Sequence, residues 1–351
     1  VIRQLVVIFC CPIIVTISAG SAAHHSFVGF YDQSRIIEIE GVLRSAQWRN
    51  PHGTLTVDVT NADGSVTQWH IETGSASVLR VRGLDREFVR PGDRIRIAGE
   101  VALRAENGLY ARNMLLPSGE EVMLSIGIAP RWTDADTGEL LEPIYDEQAR
   151  SQAVRAADGI FRVWSTVLDD PRSFPLFKGG YPLTETAFAA KAEWDSSDVV
   201  QLGCVDKGMP SLMITPYPIE FIDEGERIAI RFEEDDALRA IDMREGAGKA
   251  AASPSPLGHS VGRWAEDGAL IVTTDAISSG YLDNEGTPLS GSATLVETFR
   301  MTADEQRLDY VLRVNDPVNF STPFELQRYF IWRPELSVQP YDCAIPAITH
   351  E

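Results

Sequence analysis

Thr54-Leu55-Thr56-Val57-Asp58-Val59-Thr60 is followed by the turn Asn61-Ala62-Asp63-Gly64-Ser65 and then by Val66-Thr67-Gln68-Trp69-His70-Ile71-Glu72. Leu55, Val57 and Val59 alternate with polar neighbours, and this period of two places them on one face of a strand. Asp63-Gly64 supplies the residues that a tight reversal between antiparallel strands demands. Working outward, Ile37, Ile39 and Val42 begin an earlier alternating run that continues towards Trp48. Downstream, Ser75 to Gly83 reads as a short helical segment with Ser77 as its cap and Gly83 as its end. Pro91-Gly92-Asp93 then turns into Ile95 and Ile97, and Tyr110 to Leu116 forms a last strand. Three strands, a short helix and two strands is the order of an OB-fold barrel, and Gly41 and Gly99 suit the coiling that closure requires. An open β-sandwich is the alternative.

Ala129 to Pro143 carries Pro130, Gly138 and Pro143 and reads as a linker, with Glu147 to Ala157 as a short helix. Beyond it, alternating runs recur at Ile228–Phe232, Leu270–Val272, Leu295–Met301, Leu308–Val314 and Leu326–Trp332, interrupted by helical spacing from Thr184 to Trp194. Such a meander predicts an antiparallel, lipocalin-like barrel. The expected fold class is therefore all-β. Residues 1–23 are a signal peptide, 24–128 an OB-like domain, 129–157 a linker with a helix, and 158–351 the second barrel.

Arg3 precedes an apolar stretch from Leu5 to Ile17, and Ser21 and Ala23 fit a small-x-small cleavage rule. Periplasmic or secreted localisation follows from that reading, with no stable membrane insertion after cleavage. Cys204 and Cys343 are then an even pair in an oxidising compartment and are expected to form a disulfide; two reduced thiols or a metal-ligating Cys are the alternatives. A net charge of −20 argues against nucleic acid as a partner, because phosphate binding needs a concentrated basic footprint. Walker, Rossmann, His-Glu-x-x-His and Cys-x-x-Cys patterns are all missing from the sequence, so no nucleotide cofactor is expected.

The sharpest chemical feature is His24-His25 directly behind the cleavage region. Cleavage after Ala23 gives an amine and an imidazole on one residue, the start of a histidine brace. Cleavage after Ala22 places a histidine third from the amine in the alternative square-planar motif. Both donor sets suit Cu(II) or Ni(II). His52, held after Pro51 between two strands, is the candidate third imidazole, so the metal set is His24, His25 and His52, with copper favoured. A mobile polar tail is the bland reading of the same pair. In the second barrel Glu233, Arg239, His259, Trp264, Glu297 and Arg313 form a candidate cup for a small apolar ligand. Outward-facing charges and cross-strand ion pairs are the bland reading there.

The elements His24-His25-Ser26-Phe27, Tyr31-Asp32, Trp48-Arg49-Asn50-Pro51-His52, Trp69, Arg82-Gly83 and Pro91-Gly92-Asp93 resemble an uncharacterised family of exported bacterial proteins. The resemblance spans roughly residues 24 to 125 and implies export and a small β-domain, without an activity. Pro216-Tyr217-Pro218-Ile219-Glu220, Ser260-Val261-Gly262-Arg263-Trp264 and Asn315-Asp316-Pro317 resemble an unnamed bacterial β-barrel domain, although Asp242 stands where that pattern has a histidine. The expectation is an exported protein that binds a metal at its mature N-terminus and a small molecule in its second barrel. A periplasmic copper oxidase or a cofactor-free lyase or hydrolase is one alternative, and an assembly module is another. The sequence does not fix the oligomeric state.

Overall fold

In the computed structural model, which describes residues 30–84, 86–103, 105–132, 146–175, 180–194, 207–246, 253–283 and 285–343, strand β1 (Tyr31–Gln47) is shared between two neighbours. Its first part pairs with β4 (Arg94–Ala102) and its last part with β2 (Thr54–Thr60), so the strand must curl at the handover. Gly41 stands at that point, and a Cβ there would lie 2.4 Å from the Asp58 carbonyl oxygen. β2 pairs with β3 (Val66–Glu72) through the Asp63-Gly64 turn, and β4 pairs with β5 (Gly108–Leu115). A parallel pairing of β3 with β5 then closes five strands into a barrel. At Gly99 a bulge brings the Tyr110 carbonyl within 2.0 Å of where a Cβ would sit, so glycine is required there. This closed order is the OB topology expected from the sequence. A short strand, β6 (Glu121–Met123), extends the sheet from β5.

Helix α1 (Ala76–Val81) links β3 to β4. Its cap is Ser75, whose hydroxyl accepts from Val78 N at 3.1 Å, whereas Ser77 lies buried inside the helix and bonds to Asn50. Capping needs an extended backbone before the first helical N–H groups, and Ser75 has it. Gly83 follows the helix at φ +78°, a left-handed conformation that stops the helix at little cost.

Helix α2 (Glu147–Ala156) precedes the second barrel, whose strands are β7 (Val163–Ser165), β8 (Ile219–Asp223), β9 (Arg227–Phe232), β10 (Leu238–Asp242), β11 (His259–Trp264), β12 (Leu270–Asp275), β13 (Thr294–Met301), β14 (Arg307–Asn315) and β15 (Phe324–Trp332). Chain neighbours are sheet neighbours throughout, and β15 closes on β7. One pairing departs from the antiparallel meander: β10 and β11 run parallel. A parallel neighbour requires the chain to return to its starting end, which is why the long segment between residues 242 and 259 intervenes. Helix α3 (Glu185–Glu193) lies between β7 and β8 in the chain, capped by Thr184. No helix of the described residues is long and apolar enough to cross a membrane.

Leu308, Tyr310, Leu312 and Val314 share the buried face of β14. Opposite them, β13 presents Leu295, Glu297 and Phe299, so a carboxylate occupies a core position. Arg239 from β10 answers it. Its Nη1 donates to Glu297 Oε1 at 3.0 Å, its Nη2 donates to Glu297 Oε2 and to Thr274 Oγ1 (2.7 Å), and its Nε donates to Ser260 Oγ (3.1 Å). The Tyr310 hydroxyl donates to Glu297 Oε1 at 3.0 Å, and burial with the adjacent Glu297 charge raises its pKa. Every polar group of this network has a partner, the condition for tolerating charge in a core.

Candidate functional site: the cleft between the barrels

The two barrels meet along a seam built on α1 and on the segment after β15. Val78 and Val81 pack with Leu168, Tyr217, Leu336 and Tyr341 in one buried cluster. Asn50 fastens the seam: its Nδ2 donates to Ser77 Oγ (2.9 Å) and to the Tyr341 carbonyl (2.6 Å), and its Oδ1 accepts from Ser77 N (3.1 Å). Asn50 also bridges Cys343. Arg80 of α1 reaches across to the buried Glu233, and its Nη1 donates to Ser337 O at 3.1 Å. Arg82 pairs with Asp169 at 3.2 Å.

Beside this seam lies a cavity of about 600 Å³, lined from the OB side by His52, Glu100, Tyr110 and Arg112 and from the barrel side by Lys207, Tyr217 and Glu234, among others. Sites of this size at domain junctions, with a few convergent polar groups, are the usual setting for small-molecule recognition.

His52 stands at its edge, directly after the cis Asn50–Pro51 bond. Its Nδ1 lies 2.8 Å from Glu72 Oε1 and 3.2 Å from the Thr73 carbonyl. Both neighbours are acceptors, so Nδ1 carries the proton and Nε2 keeps its lone pair in the neutral ring. The Tyr31 hydroxyl donates to the other Glu72 oxygen at 2.6 Å, and burial followed by the Glu72 charge raises the Tyr31 pKa. Tyr110 meets the His52 ring edge-on, with centroids 6.0 Å apart, and burial above all pushes its phenol up to about 12.

Two carboxyl groups give the cavity its chemistry. Glu100 follows the buried residues Ile97, Ala98 and Gly99 on β4 and pairs through Oε1 with Arg112 Nη1 at 3.2 Å. Its Oε2 is buried with no hydrogen-bond partner among the described residues. Glu234 comes from the turn after β9, pairs through Oε1 with Lys207 Nζ and lies near the Thr215 hydroxyl, and its buried Oε2 has no partner at hydrogen-bonding geometry among the described residues. Burial raises the pKa of both, against the opposing pull of Arg112 on Glu100 and of Lys207 on Glu234. Tyr217 and Tyr341, ring to ring at 5.5 Å, are also raised by burial.

Of the expected metal set, His52 lines this cleft, and His24 and His25 lie outside the described residues. Among the described residues, no group of three or more His, Cys, Asp or Glu stands together as a metal cluster. Cys343 is disulfide-bonded, while Cys204 lies outside the described residues. The six residues expected to form a ligand cup are not brought together. Arg239 and Glu297 are paired to each other in the barrel core, and Glu233 is held by Arg80 at the seam. His259 faces Asp275 across the β11–β12 pair, with Nδ1 3.9 Å from Oδ1. Trp264 is exposed and meets Phe161 edge-on, and Arg313 forms an exposed cross-strand pair with Glu325 at 3.4 Å. The reason is alternation: inward positions on β10 and β13 send two of these charges into the core, while Arg313 sits on the outward register of β14.

Glu100, Lys207 and Glu234 were not singled out from the sequence. Glu100 gives a weak signal, an acid ending an apolar strand run. Glu234 sits in Glu233-Glu234-Asp235-Asp236, of which the sequence reading takes up only Glu233, as a cup residue. Left-handed backbone at Asp235 (φ 60°) and Asp236 (φ 52°) coils the run, with Glu233 and Glu234 buried.

No curated protein matches this chain in sequence. Residues 13–109, which take in β1 to β4 and His52, match the model of a family of unknown function, DUF6152.

Proposed function

We propose that the protein binds a small molecule in the cleft between its two barrels. One observation carries this reading: residues of both domains converge on one cavity in which two buried carboxyl oxygens have no partner among the described residues. An unsatisfied buried acceptor costs about 1–3 kcal/mol, a deficit that a bound donor removes. The Arg239–Glu297 network of the barrel interior, closed on itself, offers no such carboxyl deficit. Export to an oxidising compartment belongs to this proposal, supported by the leader-like residues 1–23 and by the disulfide at Cys343.

Thermal-shift screening of the full chain against a small-molecule panel tests the reading, with Ile128→Trp as the cleft-filling control. Hits that stabilise the native protein and lose their effect in this variant are the expected result. Hits that keep their effect in Ile128→Trp sink the proposal.

A second reading is favoured by the His52–Glu72 contact. Metal-binding imidazoles commonly donate their other ring nitrogen to a carboxylate, which fixes the tautomer and raises the basicity of the ligating nitrogen. His52 is arranged in that way, so a Cu(II) site completed by His24 or His25 and the mature amine is its natural extension. Intact mass identifies the processed terminus. Copper binding on that form should weaken at least tenfold on His52→Ala, and binding indifferent to both His52→Ala and a blocked amine removes the site.

A further inference from the structure

Resting on the cleft-binding reading, the ligand class can be narrowed. The charged side chains lining the cavity are Glu100, Glu234, Asp283 and Glu285 against Arg112 and Lys207, and Lys191 lies 4.0 Å from Asp283 and 3.9 Å from Glu285, which leaves a surplus of one carboxyl. Arg112 occupies one oxygen of Glu100, and Lys207 occupies one oxygen of Glu234. The free oxygens, one from each domain, are both acceptors, and both belong to side chains more than nine-tenths buried. The lining also includes the rings of Phe174, Tyr110 and Tyr217. An anion would add to the acidic surplus. A neutral polyol would satisfy the acceptors but leave the charge unbalanced. A cation with a donor at each end answers both, and aromatic faces favour cations or their alkyl stems.

We infer that the cleft takes a small linear di- or polyamine, its ammonium groups donating to the free oxygens of Glu100 and Glu234 and its methylene stem lying against Phe174, Tyr110 and Tyr217. The proton balance of binding follows from the surroundings of the two acids. Glu100 faces Arg112 and Tyr110, and Glu234 faces Lys207, Asp235, Tyr217 and Tyr341, with His52, Asp283 and Glu285 also on the cavity wall. Both acids hold their protons to higher pH than an ordinary carboxyl, and a bound ammonium favours their ionised form. Binding therefore releases protons, and affinity rises as pH climbs through the raised values.

Isothermal titration of the full protein in 150 mM salt with spermidine and putrescine, beside 1,4-butanediol and succinate, is the test. The expected result is saturable one-to-one binding of an amine, at least tenfold tighter than the diol, with an enthalpy that depends on the buffer's ionisation heat. Glu100→Gln should weaken it tenfold or more, and Glu234→Gln likewise. Should Glu234→Gln fail to fold, Phe174→Ala, expected to lose about fivefold, takes its place. The surface variant Glu147→Gln should leave affinity unchanged. Amine binding unaffected by Glu100→Gln, or weakened equally by Glu147→Gln, marks surface attraction to an acidic protein and overturns the inference. No amine binding, together with a neutral or anionic hit lost in Ile128→Trp, overturns the amine while leaving the cleft as a site. Panel hits that all ignore Ile128→Trp overturn both.

Discussion

The two barrels solve the problem of filling a closed sheet in opposite ways. The five-stranded barrel is packed mainly with aliphatic side chains, Leu43, Leu55, Val57, Ile71, Ile95 and Ile97 among them, with Trp48 as the one ring in its buried cluster. The nine-stranded barrel contains Trp164, Phe221, Phe232, Phe299, Tyr310 and Phe330, and still accommodates Arg239 bound to Glu297. Barrel radius grows with strand number, so the wider interior needs large rings and can host a polar network that the narrow one has no room for. The lesson is that an inward charge in a wide barrel need not mark a binding cup. Here Arg239 and Glu297 occupy each other, and the carboxyl oxygens left unpaired among the described residues, on Glu100, Glu233 and Glu234, sit at the seam.

This contrast can be broken from the wide side first. Glu297→Ala strands Arg239 without its counter-charge and should cost about 3–5 kcal/mol in urea unfolding, whereas a joint Arg239→Met, Glu297→Leu replacement should recover most of the loss. A double variant no better than the single would mean that packing space, rather than uncompensated charge, dominates there. In the narrow barrel, Ile97→Ala leaves only a void, and about 2–4 kcal/mol is expected with no rescue by any charge change. At the seam, Arg80→Ala uncovers Glu233 and should lower stability by about 1–3 kcal/mol, discounted because Arg80 is itself partly exposed. Splitting of a single denaturation transition into two would identify that contact as the coupling between barrels. The cap variant Ser75→Ala should cost about 1 kcal/mol, while Ser77→Ala should act through Asn50 instead.

The cleft carboxyls sharpen the comparison through pH. A carboxyl whose folded pKa is raised contributes stability below its unfolded value, and that contribution is lost as pH rises through the folded one. Glu100 is such a group. Glu100→Gln should therefore match the native protein near pH 4 and become the more stable of the two towards pH 8, as read from melting temperatures. A native protein that instead gains on the variant with rising pH would mean that Arg112 outweighs burial.

The local part of this structure was legible in the sequence. The β2–β3 hairpin follows from alternation and Asp63-Gly64, and the face of β14 follows from Leu308, Tyr310, Leu312 and Val314. What depended on distant partners was not. The first residues of β1 are largely exposed and show no alternation to read, and the parallel β10–β11 pairing leaves no local trace. The cap was displaced by two residues because Ser75 and Ser77 are equally good cap chemistry, and only the backbone chooses between them. The cleft is the extreme case. His52 was noticed for its own chemistry, but Glu100, Lys207 and Glu234 acquire meaning only when two folded domains meet.

The position of Tyr341 adds a consequence for biosynthesis. Domains fold in the order in which they emerge from the ribosome, yet the contacts that Asn50 and α1 make across the seam involve Tyr341 and Leu336, which follow every barrel strand in the chain. The OB barrel can therefore bury Val78 and Val81 and complete the bonds of Asn50 only after the chain beyond β15 has arrived, with Leu168 and Tyr217 the earlier of its partners. A chain cut before residue 336 would leave part of that patch bare to chaperones and proteases, so closure of the cleft reports that both barrels are complete.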